Sequence, residues 1–209
     1  MDSVRRDPFS DMQAAGDPLL GPDDPAPYEI INPRGSASAA FLCDHASNKV
    51  PEALDGLGLP QDELDRHISW DIGAAEITRR LCTHFDAPGV LAGYSRLVID
   101  CNRKLDDEQS IVAVSDGTTI PANQHLSAAQ ADERADACFW PYHEACAAVL
   151  EGVEMRGVVP AVIMMHSFTP VMGIGERPWH IGVLWDRDGR LALPLMDHLQ
   201  RRGDLCVGD

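Results

Sequence analysis

The feature that most constrains the fold is a pair of short apolar runs, each of which leads to a histidine. The first run, AAFLC at residues 39–43, passes into Asp44 and His45, and the second, AVIMM at residues 161–165, stops at His166. Such runs between turn-forming residues are typical of buried parallel strands, although periodicity alone leaves a short helix open. Open α/β sheets place their ligands at the carboxyl ends of strands. The sequence therefore predicts that both imidazoles meet at one sheet edge and bind one metal ion.

The rest of the chain alternates between strand patterns and helix patterns. Apolar and β-branched runs predict further strands at residues 28–31, 90–94, 97–100 and 181–185. Apolar residues at helical spacing predict helices at residues 72–85, 128–155 and 194–202. Pro141 lies inside the longest of these helices and predicts a kink or a break there. The alternation predicts an α/β fold around a largely parallel sheet.

Length and charge limit the classes of protein to which the chain can belong. Its 209 residues are enough for one domain with a substantial core. The net charge of −16, from 33 acidic and 17 basic residues, argues against a nucleic-acid or membrane partner, since both need a basic surface. Residues 1–27 are rich in Asp, Pro and Gly and too acidic for a signal peptide. We therefore expect a flexible arm at residues 1–27 and one domain at residues 28–209.

The cysteines indicate a cytoplasmic protein. All six are scattered through the sequence, and no two of them form a CxxC pair. This pattern favours buried free thiols in a reducing compartment over a disulfide framework.

The metal site needs a third ligand beside His45 and His166. A zinc hydrolase site has about three nitrogen or oxygen ligands and an open position for water. Asp71, at the start of the predicted helix 72–85, is the preferred acidic ligand, and Asp44 is the second choice. Alternatively, each histidine is only a hydrogen-bonding loop residue, and the residues by themselves leave the two interpretations equally favoured.

Two further groups of residues are candidates for substrate binding and catalysis. Arg96 and Arg103 flank an apolar segment in a chain with few basic residues, and Asn102 adds a donor beside them. A guanidinium binds a carboxylate through two parallel hydrogen bonds, but these arginines could equally pair with the protein's own acids. Glu176, in the loop after the second histidine, is the candidate general base, although a solvated loop carboxylate is the commoner role. Tyr142 is interpreted as a packing residue.

Six motifs in order resemble those of the N-formylglutamate amidohydrolase family, in its predicted branch. The motifs are CDHASNKVP at 43–51, WDIGA at 70–74, SRLVIDCNR at 95–103, IPAN at 120–123, PYH at 141–143 and HSF at 166–168. The resemblance covers about residues 28–209. It implies a three-layer sandwich like that of zinc carboxypeptidases, with a mixed, mostly parallel sheet between helices. It also implies a metal-dependent hydrolase that cleaves an N-acyl acidic amino acid, such as N-formyl-L-glutamate, into the amino acid and formate.

The resemblance also suggests roles for particular residues. His45 and His166 match the metal-ligand histidines of the family, and the pair Asn102–Arg103 is similar to the pair with which carboxypeptidases hold a substrate carboxylate. The histidine-degradation branch of the family tends to have proline where this chain has Asp44. Asp44 therefore separates this chain from the enzymes whose substrate is best defined.

The end of the chain departs from the family pattern. Family members usually continue past the position of Asp209 with an Asn-Glu-Pro-Tyr-like stretch and a final strand. In carboxypeptidases the general-base glutamate lies near the end of the fold. We therefore expect a fold truncated at its C-terminus, in which Glu176 replaces that base, or the base lies beyond residue 209, or the protein is inactive.

Together these features predict a cytoplasmic amidohydrolase with one Zn²⁺ ion and a small N-acyl amino acid as substrate. Two alternatives share the fold. One is a metallopeptidase or cell-wall-type amidase, and the other is a catalytically inactive fragment that binds a carboxylate.

Overall fold

The two apolar runs that lead to histidines form neighbouring parallel strands. In a computed structural model of the chain, strand β2 is Ala39–Cys43 and strand β6 is Ala161–Met164. The register pairs Leu42 with Met164, so both strands end at the same edge of the sheet. The sequence-based prediction that these two runs are parallel strands is therefore correct.

These strands belong to a four-stranded sheet with the order β1–β3–β2–β6. Strand β1 is Tyr28–Ile31, and it pairs antiparallel with β3, which is Gly89–Ala92. The pairs β3–β2 and β2–β6 are parallel. The sheet is therefore mixed and mostly parallel, which confirms the predicted fold class.

Strand β6 differs from its prediction in burial. Among the described strands it lies at the edge of the sheet, and Val162 and Met164 are each 43% exposed. The sequence predicts a buried strand here because an apolar run of this length looks the same at an edge and in the centre. Position within a sheet depends on pairing partners, which the run itself does not specify.

Two helices cover opposite faces of the sheet. Helix α2 is Ala74–Phe85, and helix α4 is Trp140–Glu154. Side chains alternate between the two faces along a strand. In β2, Leu42 packs in the same cluster as residues of α4, while Cys43 packs against the first turn of α2. The result is the three-layer arrangement, helix on sheet on helix.

The long predicted helix at residues 128–155 is interrupted. Helix α3 is Ala128–Arg134, a π-helical turn follows at Ala135–Phe139, and α4 then begins. Pro141 lies in the first turn of α4, where its missing N–H is best tolerated. The predicted break is therefore present, and it takes the form of a widened turn just before the proline.

The predicted strand at residues 97–100 is wrong, because this segment forms a turn. Leu97 and Val98 are 0% exposed and Ile99 is 3% exposed, and they pack with Leu57 and Ile120 in a core cluster. An apolar run indicates burial, and a loop that crosses the core is buried on all sides as a strand would be. Burial was therefore predicted correctly and the backbone conformation was not.

One buried cation holds this turn in place. The Arg134 side chain, 2% exposed, donates from Nη1 to the Val98 carbonyl oxygen at 3.0 Å and to Asn123 Oδ1 at 2.7 Å. Its Nη2 donates to the Ala122 carbonyl oxygen at 3.3 Å. The guanidinium fork thus joins helix α3 to two separate loops.

The shorter elements of the first unit lie in the connections. They are the 3₁₀ turns Glu52–Gly58 and Pro121–Asn123, helix α1 at Gln61–Leu64, and the hairpin of β4, Val114–Ser115, with β5, Thr118–Thr119.

The structure describes residues 19–172 and 175–209, which fall into two compact units. The first unit ends at Ser167, and the second is Phe168–Asp209. Most of the predicted arm, residues 1–18, lies outside the described residues. Leu19, within the predicted arm, is 4% exposed and packs in the core cluster that contains Leu97.

The second unit contains two small sheets and a helix. Strand β7, Val171–Met172, pairs antiparallel with β8, Gly175–Glu176, and strand β9, Ile181–Gly182, pairs parallel with β10, Val207–Gly208. Helix α5 is Gly189–Arg201, five residues longer at its start than predicted. The prediction took Pro194 as a helix start, whereas Asp188 caps the helix through a 3.1 Å bond from the Arg190 N–H to Asp188 Oδ1.

Two expectations from composition can be compared with the structure. All six cysteines are free, and five are buried, while Cys206 is exposed. Within residues 19–172 and 175–209, no helix has the length and apolar character needed to cross a membrane.

Candidate metal centre

Two histidines and one aspartate meet at the carboxyl edge of β2 and β6. His45 follows β2, His166 follows β6, and Asp71 precedes helix α2. The backbone N–H of Asp71 donates to the His45 carbonyl oxygen at 2.9 Å, which holds the start of the helix beside the end of β2. Asp71 Oδ2 lies 2.9 Å from His166 Nδ1 and 3.5 Å from His45 Nδ1. One potential ligand atom from each residue lies within 4.8 Å of the other two. The structure thus brings all three predicted ligands together.

The distances from Asp71 Oδ2 to the two histidines are close to those of a tetrahedral metal site. With bonds of about 2.0–2.1 Å, the ligand atoms of a tetrahedral zinc site are about 3.3 Å apart. The two measured separations from Asp71 Oδ2, 2.9 and 3.5 Å, lie on either side of this value. Two imidazoles and a carboxylate are also a ligand set that zinc hydrolases use.

A second carboxylate, not predicted from the sequence, fixes the ring of His45. Asp100 is 3% exposed, and its Oδ1 lies 2.7 Å from His45 Nε2. The same carboxylate accepts from Arg96 Nη2 at 2.7 Å and from the Asn102 backbone N–H at 2.8 Å. With Nε2–H donated to Asp100, the ring is oriented so that His45 Nδ1 faces Asp71. The sequence places Asp100 directly after an apolar run, but the run does not show that Asp100 faces His45.

The metal-site cluster consists of His45, Asp71 and His166, with Asp100 beside it. Its charges favour a cation between the carboxylates. Burial lowers the pKa of His45, but its hydrogen bonds to Asp100 and Asp71 outweigh burial, and the pKa is raised. Burial raises the pKa of Asp71, but hydrogen bonds from His166 and His45 outweigh it and bring the pKa well below the ordinary value. The pKa of Asp100 is lowered in the same way, against burial, by its bond with His45. The site therefore stabilises positive charge, whether a proton or a metal ion.

Arg96 is engaged with the cluster. Besides its bond to Asp100, its Nη1 lies 3.3 Å from His45 Nδ1 and 3.7 Å from Asp71 Oδ1. Its side chain is 29% exposed, so one part of the guanidinium still faces solvent.

Asn102 and Arg103 lie on the exposed side of the cluster. Asn102 Nδ2 is 3.5 Å from His166 Nε2, and both residues are exposed or partly exposed. The Arg103 side chain is exposed, and among the described residues no group forms a hydrogen bond or ion pair with its guanidinium. This cation is therefore open to an external anion.

Asp44 lies buried beside His166. Its Oδ1 accepts a 2.5 Å bond from the Tyr142 hydroxyl, and its Oδ2 is 3.8 Å from His166 Nε2. Burial, together with the charge of Asp44, raises the pKa of the Tyr142 phenol well above its ordinary value, so the phenol keeps its proton and donates. The sequence suggested that Tyr142 is only a packing residue. In the structure its hydroxyl also forms a hydrogen bond with Asp44.

Glu176 lies in a different part of the chain from these residues. It belongs to β8 in the second unit and is exposed. Its role as general base stays a prediction.

The segments that carry His45 and Asp71 also line a cavity of about 390 Å³. Residues 46–49 and Trp70 form part of its wall, and Arg79 contributes a cation. This volume is in the range of small-molecule pockets.

A three-layer α/β fold with two histidines and a carboxylate at the carboxyl edge of its strands defines the class: an α/β protein whose candidate ligands are of the kinds that metal hydrolases use. The model of the N-formylglutamate amidohydrolase family matches residues 38–209, and the chain belongs to this family. The resemblance carried by the six motifs is thereby confirmed. The family is one of hydrolases that act on a small molecule.

A solved structure supports the same conclusion. The crystal structure of gene product Atu2144 from Agrobacterium tumefaciens is similar to this chain, with 30% sequence identity and a TM-score of 0.86. The match covers 91% of this chain and 75% of that one. No curated protein matches the sequence.

Proposed function

We propose that the protein is a zinc-dependent amidohydrolase that cleaves N-acyl acidic amino acids, with N-formyl-L-glutamate as the first candidate substrate. The products would be the free amino acid and, from a formyl substrate, formate. The observation that carries this proposal is the meeting of His45, Asp71 and His166, with Asp71 Oδ2 within 3.5 Å of both Nδ1 atoms. Family membership supports the amidohydrolase class.

These three residues would hold the metal ion. When bound, zinc supplies a Lewis acid that polarises an amide carbonyl and lowers the pKa of water. The protein's part is to keep both Nδ1 atoms directed at Asp71 and to balance the charge. Asp100 does so for His45, because it accepts the Nε2 proton and leaves Nδ1 directed at Asp71.

Asn102 and Arg103 would bind the substrate carboxylate. The Arg103 guanidinium is exposed and, among the described residues, has no hydrogen-bond or ion-pair partner. Asn102, directly before it, reaches to 3.5 Å from His166. A carboxylate held by this pair through charge-assisted bonds would place the rest of the substrate next to the cluster, and orientation of this kind contributes to rate.

Arg96 and Glu176 complete the proposed assignments. Arg96 would contact a substrate oxygen with its solvent-facing edge while its other edge holds Asp100. Glu176 is the proposed general base, and Glu176→Gln should lower kcat with little change in KM.

The direct test combines metal analysis with a formate-release assay. Purified protein should contain about one zinc per chain, and His45→Ala and His166→Ala should each abolish both metal and turnover. Arg103→Ala should raise KM for N-formylglutamate, and Arg80→Ala is the matched control, because Arg80 is an exposed arginine that pairs with Glu76 on α2. Folded His45→Ala and His166→Ala proteins with the same metal content as the wild type would contradict the proposal. Activity on acylated peptides in place of N-acyl amino acids would identify a peptidase on the same fold.

A further inference from the structure

Asp44 is a buried carboxylate with an unsatisfied oxygen. The residue is 2% exposed, and Tyr142 donates to its Oδ1. Its Oδ2 is inaccessible to solvent and, among the described residues, accepts no hydrogen bond. An unpaired buried acceptor costs free energy, and a charged one costs more. The fold therefore retains an acceptor that is ready for a donor.

His166 is placed to be that donor. Its Nε2 lies 3.8 Å from Asp44 Oδ2, while Nδ1 on the other side of the ring lies 2.9 Å from Asp71 Oδ2. The His166 side chain is 30% exposed, so the ring is not fixed by packing on every side. A movement of about 1 Å would bring Nε2 within normal hydrogen-bond distance of Asp44.

The same arrangement already exists at the other histidine. His45 presents Nε2 to the buried Asp100 and Nδ1 to Asp71. His166 presents Nε2 to the buried Asp44 and Nδ1 to Asp71. Each ring thus lies between one carboxylate of its own and the carboxylate that both share.

A hydrogen bond from the Asn102 amide would require His166 Nε2 to be unprotonated. Asn102 Nδ2 lies 3.5 Å from this nitrogen, whereas Asp44 requires a proton there. A bond to a carboxylate is charge-assisted and stronger than a bond between neutral groups. Rotation of the Asn102 amide removes the conflict, because the amide oxygen then faces the ring. A proton on Nε2 is therefore favoured, in addition to the hydrogen bond between Nδ1 and Asp71 Oδ2 at 2.9 Å.

We propose that Asp44, anchored by Tyr142, is the positioning residue of His166. It accepts the Nε2 proton and fixes the ring so that Nδ1 faces Asp71, where Nδ1 donates to Oδ2 at 2.9 Å without a metal and would offer its lone pair to a metal ion. This inference builds on the proposed metal site, and it assigns the two acids different tasks. Asp71 faces both Nδ1 atoms as a ligand would, whereas Asp44 faces the far side of one ring.

The test uses Asp44→Asn and Tyr142→Phe with two measurements. Zinc affinity, measured by competition with a chelator, should fall about 10–100-fold in Asp44→Asn, as expected when the carboxylate partner of a ligand histidine is lost. Tyr142→Phe should lower it less, because the carboxylate remains. Asp86→Asn is the control, since it removes a carboxylate that bonds only to Asn32 and Ser36 among the described residues.

Long-range ¹H–¹⁵N NMR of the metal-free protein gives a readout that a merely structural role would not change. The wild type should show a proton on His166 Nε2 that exchanges slowly, whatever the state of Nδ1, and Asp44→Asn should lose that proton or its protection while Asp86→Asn keeps it. If Asp44→Asn fails to fold, the wild-type and Tyr142→Phe spectra decide the question.

Two results would overturn the inference: a wild-type His166 with no proton on Nε2, or an Asp44→Asn protein that binds zinc as tightly as the wild type. Zinc binding that depends on Asp44, in a protein without formate release, would support Asp44 and reject the proposed substrate. If the wild type binds no zinc, the proposed function fails, and the Nε2 proton alone decides the role of Asp44.

Discussion

Replacement of Asp100 by asparagine removes one charge from a buried side chain that accepts three hydrogen bonds. The carboxylate accepts three bonds of 2.7–2.8 Å, from His45 Nε2, Arg96 Nη2 and the Asn102 backbone N–H. An asparagine has one acceptor oxygen and one donor NH₂ group in place of two acceptors. Whichever way the amide is turned, at least one of these donors then meets another donor.

The size of the effect follows from burial. A hydrogen bond to a charged group is worth about 1.5–3 kcal/mol, and removal of one partner of a buried ion pair costs about 3–5 kcal/mol. Asp100 is 3% exposed, so solvent cannot replace the lost acceptor. We expect Asp100→Asn to lower the free energy of unfolding by about 3–5 kcal/mol. We also expect it to weaken zinc binding about 10–100-fold, because the His45 tautomer is no longer fixed.

Urea unfolding of the metal-free protein and zinc competition with a chelator measure the two effects separately. Glu76→Gln is the control: it also removes a negative charge, but from an exposed pair with Arg80 that is worth about 0.3–0.5 kcal/mol. Loss of less than about 1 kcal/mol in Asp100→Asn, together with unchanged zinc affinity, would show that Asp100 neither supports the fold nor orients His45.

Three further predictions concern packing, pH and metal. Gly89→Ala should lower the free energy of unfolding by about 1–3 kcal/mol, because a Cβ there would lie 2.7 Å from a carbonyl oxygen of β2. Gly152→Ala in α4, where a Cβ would meet nothing within 4 Å, should raise it by about 1 kcal/mol in the same urea assay. Hydrogen bonds from Asn32 and Ser36 lower the pKa of Asp86 to about 2. The stability difference between wild type and Asp86→Asn should be complete above the ordinary pKa of 3.8 and should be lost as pH falls through about 2. A difference of undiminished size at pH 2 would refute this. Zinc at about 100 times its Kd should raise the unfolding free energy by about 2.7 kcal/mol, and this shift should be absent when both site histidines are replaced by alanine.

The convergence of the histidines could be predicted because it depends on a topological rule. Parallel neighbours end at the same edge of a sheet, so two apolar runs that lead to His45 and His166 place both rings there once the runs are paired. Asp71 was accessible by similar reasoning, since a helix that starts near the same edge presents its first residues to the ligand site.

The role of Asp100 could not be predicted from local pattern. The run 97–99 suggests a strand, and an acid after a strand suggests a turn, whereas the structure has a buried turn that directs the Asp100 side chain toward His45. This orientation depends on contacts with residues far along the chain, and the local pattern of apolar residues carries no information about them. The same holds for Tyr142, whose hydroxyl meets Asp44 from a helix about a hundred residues later.

Arg134 joins the turn that precedes Asp100 to helix α3 through a hydrogen bond to the Val98 carbonyl oxygen, two residues before Asp100. All three of its acceptors are uncharged, and burial lowers the pKa of the guanidinium. A lysine would keep the charge but could not span two loops, so Arg134→Lys should loosen Asp100 and weaken zinc binding without touching a ligand. A design that transfers this site to another scaffold would therefore need to include Arg134, because the ligands alone lack the residue that holds the Asp100 turn in place.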